Sequence, residues 1–225
     1  MIYRQELKYA ISGAERELLI RRLGAVFARD PYSMPDGTYR VRTLYFDDLY
    51  GSALQETLSG APVREKYRLR MYNLDPSFLR LERKTKVYGG ALKPELRMSP
   101  GEARRLLSGD AAFFENREEP FAQVCLAEAR AGGLKPRTVV DYTRVAFCDV
   151  SGNIRITLDS DIRVSPRTDA FFEKTLSGLP AAEHGECVLE VKYNGYLPDY
   201  IPQLLGSAGR VRVAYSKFAA SGIYY

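Results

Sequence analysis

Charged and apolar residues alternate along six short stretches of this chain, the period-2 signature of strands. The charged positions read Arg4, Glu6, Lys8; Lys66, Arg68, Arg70; Glu82, Lys84, Lys86; Lys93, Glu95, Arg97; Arg155, Thr157, Asp159; and Glu190, Lys192. Between and beside them stand Leu7, Tyr9, Tyr67, Leu69, Leu81, Leu96, Ile154, Ile156, Leu158, Leu189, Val191 and Tyr193. Alternate side chains of a strand share one face about 7 Å apart, so each stretch presents a small charged row. One such strand alone reads as half-buried with its charges in water. Six of them, most mixing Arg or Lys with a carboxylate, suit a surface that binds a highly charged anion and its metal ion.

The remaining pattern supplies helices and turns. Ser12 can cap a helix whose Leu19, Leu23 and Phe27 repeat at i, i+4, i+8. A strand is predicted over 39–47, then a polar, Gly-containing connection with one helical turn at 48–58. Strands at 64–73 and 78–88 flank Asp75-Pro76, and Gly89-Gly90 leads to a strand at 91–98. Ser99-Pro100-Gly101-Glu102 is a capping box that starts a helix through Leu107. A helix over 117–131 stops at Gly132-Gly133, and strands 137–149 and 153–164 form a hairpin around Ser151-Gly152. An excursion at 165–185, anchored by Phe171-Phe172, precedes a strand at 186–194, a helix near 198–206 and a C-terminal segment with Ser216-Lys217-Phe218. The expected fold is α+β: a mostly antiparallel eight-stranded β-barrel with helices packed outside. If the charged rows face inward, the interior holds water, ions and an anionic ligand, because unpaired buried charges are too costly.

Size and composition narrow this further. A chain of 225 residues without a linker-like stretch reads as a single domain, 1–225. The formal net charge of +5 is too small to imply nucleic-acid binding, and no nucleic-acid-binding signature accompanies it. Cys125, Cys148 and Cys187 are far apart and form no C-x-x-C pair, which argues against a disulfide framework or a zinc site and for a reducing, cytoplasmic setting. No apolar signal core opens the sequence and no run of about 18 apolar residues interrupts it, so neither secretion nor a membrane segment is expected. The one histidine, His184, lies in a Gly-rich loop and is not read as a catalytic base.

Eight motifs in order then carry a family resemblance: Arg4-x-Glu6-Leu7-Lys8-Tyr9, Leu44-Tyr45-Phe46-Asp47, Lys66-x-Arg68-x-Arg70, Glu82-Arg83-Lys84, Tyr142-x-Arg144-x-Ala146-Phe147, Arg155-Ile-Thr-Leu-Asp159, Leu189-Glu190-Val191-Lys192-Tyr193 and Ser216-Lys217-Phe218. Together they resemble the VTC domain, the catalytic core of vacuolar transporter chaperone polyphosphate polymerases, in the CYTH-like triphosphate tunnel metalloenzyme superfamily. The resemblance runs from Arg4 to Phe218.

It implies a phosphotransferase whose antiparallel β tunnel takes ATP and inorganic polyphosphate along its axis with Mn²⁺ or Mg²⁺, adding the γ-phosphate of ATP to a growing chain. By motif position, Arg68, Arg70, Lys84, Arg144 and Arg155 resemble the catalytic basic residues. Lys8, Lys66, Lys93, Tyr142, Lys192, Ser216 and Lys217 resemble phosphate-binding ones, and Glu190 the metal-binding carboxylate. The chemistry is coherent, since phosphoryl transfer relies on positioning and charge stabilisation more than on covalent help. Tunnel triphosphatases of the wider superfamily usually begin E-x-E-x-K, whereas Arg4 stands here in place of the first glutamate. The missing carboxylate favours polymer synthesis over hydrolysis; an inorganic or nucleoside triphosphatase and a non-enzymatic polyphosphate-binding module are the alternatives. Asp159 and Asp161 read as ion-paired next to Arg155 and Arg163, and Glu6, Glu82 and Glu95 as groups that orient the basic rows.

Overall fold

The computed structural model describes residues 4–87, 90–149, 153–181, 186–207 and 210–222. Its strands are β1 (Arg4–Ser12), β2 (Ala28–Arg29), β3 (Tyr39–Asp47), β4 (Val63–Tyr72), β5 (Asp75–Val87), β6 (Gly90–Leu92), β7 (Glu95–Met98), β8 (Lys135–Cys148), β9 (Ile154–Ser165), β10 (Leu179–Pro180) and β11 (Glu186–Asn194). Helices are α1 (Gly13–Gly24), α2 (Ser52–Leu58), α3 (Pro100–Leu107), α4 (Pro120–Arg130), α5 (Tyr200–Leu205) and α6 (Lys217–Ser221), with 3₁₀ turns at Ala112–Asn116 and Thr168–Phe172. The fold is α+β on an antiparallel sheet. Hydrogen-bonded neighbours run β1-β11-β9-β8-β3-β4-β5-β6, with β10 beside β9, β2 beside β8 and β7 beside β5.

Eight strands form that path, as expected, but among the described residues it ends at β1 and β6 instead of closing into a barrel. The expected strand over 91–98 is two short ones, β6 and β7, separated at Lys93-Pro94. Proline has no N–H to give to a ladder; the Pro94 carbonyl instead accepts from the Arg83 N–H at 3.1 Å. Residues 112–116 form the 3₁₀ turn, and α4 begins at Pro120 rather than 117, where proline suits the first turn. The Ser151-Gly152 turn and His184 lie outside the described residues. Cys125, Cys148 and Cys187 are free thiols. Among the described residues no helix is long and apolar enough to cross a membrane.

The chain divides into two compact units. The first comprises Met1–Arg40, Tyr142–Ile162 and Pro180–Tyr215. In it β1, β11 and β9 pair in register, with Lys8 opposite Glu190 and Glu190 opposite Thr157, while Glu6 faces Lys192 and Lys192 faces Arg155. The other face is apolar: Tyr9, Ile11, Ile156, Leu158, Leu189 and Val191 pack with Leu19 and Leu23 of α1 and with Ile201 and Leu205 of α5. The start of α1 is the predicted cap in fuller form, because Ser12 accepts from the Glu15 N–H and the Glu15 carboxylate accepts in return from the Ser12 N–H.

The second unit comprises Val41–Asp141, Arg163–Leu179 and Ser216–Tyr225. Leu44, Phe46, Leu69, Met71, Leu79, Leu81, Leu96 and Met98 form its core with Leu106 of α3, Phe121, Cys125 and Leu126 of α4, and Phe171. The expected anchoring of the 165–185 excursion by its aromatic pair holds, with Phe171 buried in that core and Phe172 packed against it. Asp47 closes β3 and caps α2, accepting from the Ala53 and Leu54 N–H groups at 2.9 and 3.1 Å. Gly51, the residue before α2, has φ +72°, the left-handed region glycine adopts without strain.

Candidate functional site

Backbone pairing converts the charged rows of the sequence into charged patches. In the first unit the alternation that buries Leu189 and Val191 puts Glu190 and Lys192 on the opposite face, beside Lys8 and Glu6 of β1. The Lys8 ammonium lies 2.8 Å from Glu6 and 3.6 Å from Glu190, and donates to the Tyr215 carbonyl at 2.8 Å. Lys192 pairs with Glu190 at 2.8 Å. Arg144 of β8 forks onto both oxygens of the fully buried Asp159, at 2.6 and 2.8 Å, with its guanidinium 5.2 Å from the Tyr142 ring centroid. Arg155 donates to Asp30 at 2.5 Å and to the Tyr39 hydroxyl at 2.8 Å. The predicted ion pairing of Asp159 is therefore real, and its clamp is on Arg144, across the β8–β9 ladder.

In the second unit Glu82 is the hub. Only 1 % exposed, it holds Arg68 at 2.7 Å, Lys93 at 2.8 Å and Arg70 at 3.6 Å. Lys93 also reaches Glu95 at 3.1 Å. Lys66 stands directly opposite Lys84, Arg70 opposite Arg80, and Arg80 opposite Arg97. Lys66 donates to the Ser216 hydroxyl at 3.2 Å and lies 5.7 Å from the Phe218 ring, which stacks on Tyr45 at 4.8 Å. Ser216 caps α6 through the Ala219 N–H, and Lys217 is the first residue of that helix.

Each hub carboxylate is buried, and its cations decide its ionisation. Burial pushes Glu82 up, but Arg70, Arg68 and Lys93 outweigh it and hold the acid down to about 2. Burial likewise opposes ionisation of Glu190, yet a hydrogen bond with Glu6 and the charges of Lys192, Lys8 and Arg144 leave it well below the usual carboxylate range. Burial lowers the Lys192 ammonium to about 8 against the pull of Glu190. The basic groups are thus fixed in place by acids that stay charged.

The thirteen expected site residues fall into two sets. Lys8, Tyr142, Arg144, Arg155, Glu190 and Lys192 belong to the first unit, and Lys66, Arg68, Arg70, Lys84, Lys93, Ser216 and Lys217 to the second. Within the first, Glu190 gathers Lys8 and Lys192, while Arg144 and Arg155 have their own carboxylates. Within the second, Glu82 gathers Arg68, Arg70 and Lys93, and Lys66 is brought to Ser216. Sequence reasoning missed Asp30 and Tyr39, which fix Arg155 from far away in the chain, and two hydroxyls. Among the described residues Thr157 Oγ1 and Thr43 Oγ1 are buried without a hydrogen-bond partner, the first opposite Glu190 in register and the second opposite Arg70. Thr157 stands at an every-second-residue position of the Arg155, Thr157, Asp159 row, which is the signal that could have found it, whereas Thr43 alternates with Val41 and Tyr45 and no charged row of its own strand marks it.

Among the described residues no three His, Cys, Asp or Glu side chains cluster as a metal-holding set. Glu6 and Glu190 nevertheless converge on the Lys8 ammonium, at 2.8 and 3.6 Å, which brings two carboxylates to one cation. Two carboxylates completed by substrate oxygens fit Mg²⁺ or Mn²⁺, hard ions that keep several waters or phosphate ligands.

The antiparallel sheet of this α+β fold thus carries basic rows anchored on buried acids. The chain belongs to the VTC domain family, whose profile matches residues 3–223. A candidate adenylate cyclase of Bacillus halodurans shares the fold at a TM-score of 0.56 and 15 % identity, over 93 % of this chain and 92 % of that one. A chain of the Schizosaccharomyces pombe Mediator head module aligns at a TM-score of 0.50 and 10 % identity, over 95 % of this chain and 100 % of that one. No curated protein sequence matches the chain. The family and fold support a triphosphate-binding type of fold.

Proposed function

We propose that this chain is a polyphosphate polymerase that transfers the γ-phosphate of ATP to a growing inorganic polyphosphate chain. The observation that carries the reading is the set of like-charged residues directly opposite one another, Lys66 with Lys84, Arg70 with Arg80 and Arg80 with Arg97. Such pairs destabilise a sheet, an effect that Glu82 beside Arg70 and Glu95 beside Arg80 offset in part and that a bound polyanion would offset further. A phosphate chain has the required charge density and repeat. In the second unit Arg68 and Arg70 present forks that fix phosphate oxygens, whereas Lys66, Lys84, Lys93 and Lys217 act as mobile point charges along which a polymer can slide; in the first unit Arg144 and Arg155 are the forks and Lys8 and Lys192 the point charges.

The buried acids Glu82, Asp159 and Asp30 hold the guanidinium groups in position before substrate arrives, so little reorganisation is needed as charge develops on the transferred phosphoryl group. Tyr142, Ser216 and the unsatisfied hydroxyls of Thr43 and Thr157 add neutral donors. A divalent Mn²⁺ or Mg²⁺ held by Glu190 with Glu6 would supply neutralisation of the phosphate oxygens. Free thiols and the absence of a membrane-crossing helix among the described residues support the cytoplasm as its place of work.

The test is the product spectrum of the purified protein with ATP and each of Mg²⁺ and Mn²⁺, resolved on a gel stained for long polyphosphate. Long polymer is the expected product. Release of orthophosphate or short chains alone means a triphosphatase, and binding of polyphosphate without turnover under any metal means a binding module.

A further inference from the structure

Phe78 stands on β5 two residues before Arg80 and four before Glu82, so strand alternation places its ring on the charged face of the second unit. It is 40 % exposed there. The Arg80 and Arg97 guanidinium carbons lie 5.1 and 5.6 Å from the ring centroid. Arg80 is ion-paired to Glu95, and Arg97 has no carboxylate partner among the described residues. Phe78, Leu79, Arg80, Glu95 and Arg97 line a cleft of about 180 Å³. One strand step of about 7 Å beyond the ring runs the cross-strand row Arg70, Arg80, Arg97.

An open aromatic face that adjoins a line of guanidinium groups matches a ligand with a flat ring at one end and a run of phosphates at the other. We propose that this cleft takes the base of the nucleoside triphosphate, stacked on Phe78 with Arg97 beside it, while the phosphates cross the Arg70, Arg80, Arg97 row toward Arg68 and Lys84. Every group named belongs to one unit. The proposal rests on the reading of the substrate as a nucleoside triphosphate and adds where its base is held.

The test compares binding of the β,γ-imido analogue of ATP with binding of tripolyphosphate, in the presence of Mg²⁺, for the native protein, Phe78→Ala and Phe78→Tyr. Stacking of a base on an aromatic side chain is worth about 1–3 kcal/mol by alanine substitution. Phe78→Ala is therefore expected to weaken the ATP analogue roughly 5- to 150-fold and to leave tripolyphosphate unchanged, while Phe78→Tyr retains both. A ring that serves only as a surface partner for the two arginines would give Phe78→Ala the native affinity for both ligands, and that result overturns the subsite while leaving the phosphate-binding reading intact. Equal weakening of both ligands overturns it as well, since the base would then contribute nothing of its own. Native protein that binds neither ligand removes the proposed function and the subsite with it.

Discussion

Glu82 concentrates the electrostatics of the second unit in one residue. Its acid is held at about 2 in the folded chain against an ordinary 4.5, so it binds fewer protons folded than unfolded. The stabilisation is fully present above pH 4.5 and is lost as the pH falls from there toward 2. That difference is worth about 3 kcal/mol on the linkage scale. Glu82→Gln is expected to lose roughly this much at pH 7 and to show a flatter stability profile between pH 4.5 and 2, read from urea unfolding at several pH values. Arg68→Ala is the complementary case. Glu82 keeps Arg70 and Lys93, so the fold should survive, but one preorganised donor is gone. Turnover with ATP should fall by on the order of 10²–10³, the usual scale for such a donor. Native turnover in this variant would place Arg68 outside the chemistry.

At the level of elements, α6 joins the core to the basic row. Phe218 is 2 % exposed and stacks on Tyr45, its ring also lies near the Lys66 ammonium, and Ser216 at the helix cap accepts from the same lysine. Phe218→Ala removes a buried aromatic and is expected to cost about 3–5 kcal/mol. It should also weaken tripolyphosphate binding by freeing Lys66, so a variant that melts early yet binds at native affinity would separate α6 from the phosphate row. Elements of this kind differ in how far the sequence discloses them. The strand faces were legible because Lys66, Arg68 and Arg70 alternate with Tyr67, Leu69 and Met71, and both capping boxes were spelled by adjacent residues. Arg42 was not. It shares a strand face with the core residues Leu44 and Phe46 and is fully buried, donating to Asp141 at 2.7 and 3.1 Å and to the carbonyls of Ala170, Phe171 and Glu173. Its partners stand about a hundred residues or more away in sequence, and buried charges persist only where such partners exist. The site was legible to the same depth. Its basic residues were readable from local rows, but the clamps Asp30 on Arg155 and Asp159 on Arg144 arise from tertiary pairing.

For the whole molecule the decisive quantity is the positive charge gathered on the rows of each unit without a ligand. Like charges held in register repel, and any polyanion that binds only the folded chain must stabilise it by mass action. At about a hundredfold excess over its dissociation constant the gain is roughly 2.7 kcal/mol. For a chain of this size each kcal/mol raises the melting temperature by about 2–4 °C. Tripolyphosphate is therefore expected to raise the melting temperature by roughly 5–11 °C, more than sulfate at equal ionic strength, because screening alone acts on both anions alike. Combining Arg68→Ala with Lys84→Ala removes two groups of the second unit's row while leaving its apolar core untouched, so the doubly substituted protein should remain folded and respond less. The measurement is a thermal melt with each anion across a range of concentrations. A sulfate response equal to that of tripolyphosphate, or a full response from the doubly substituted protein, would mean that the rows of charge are a solvated exterior and not a phosphate-binding surface.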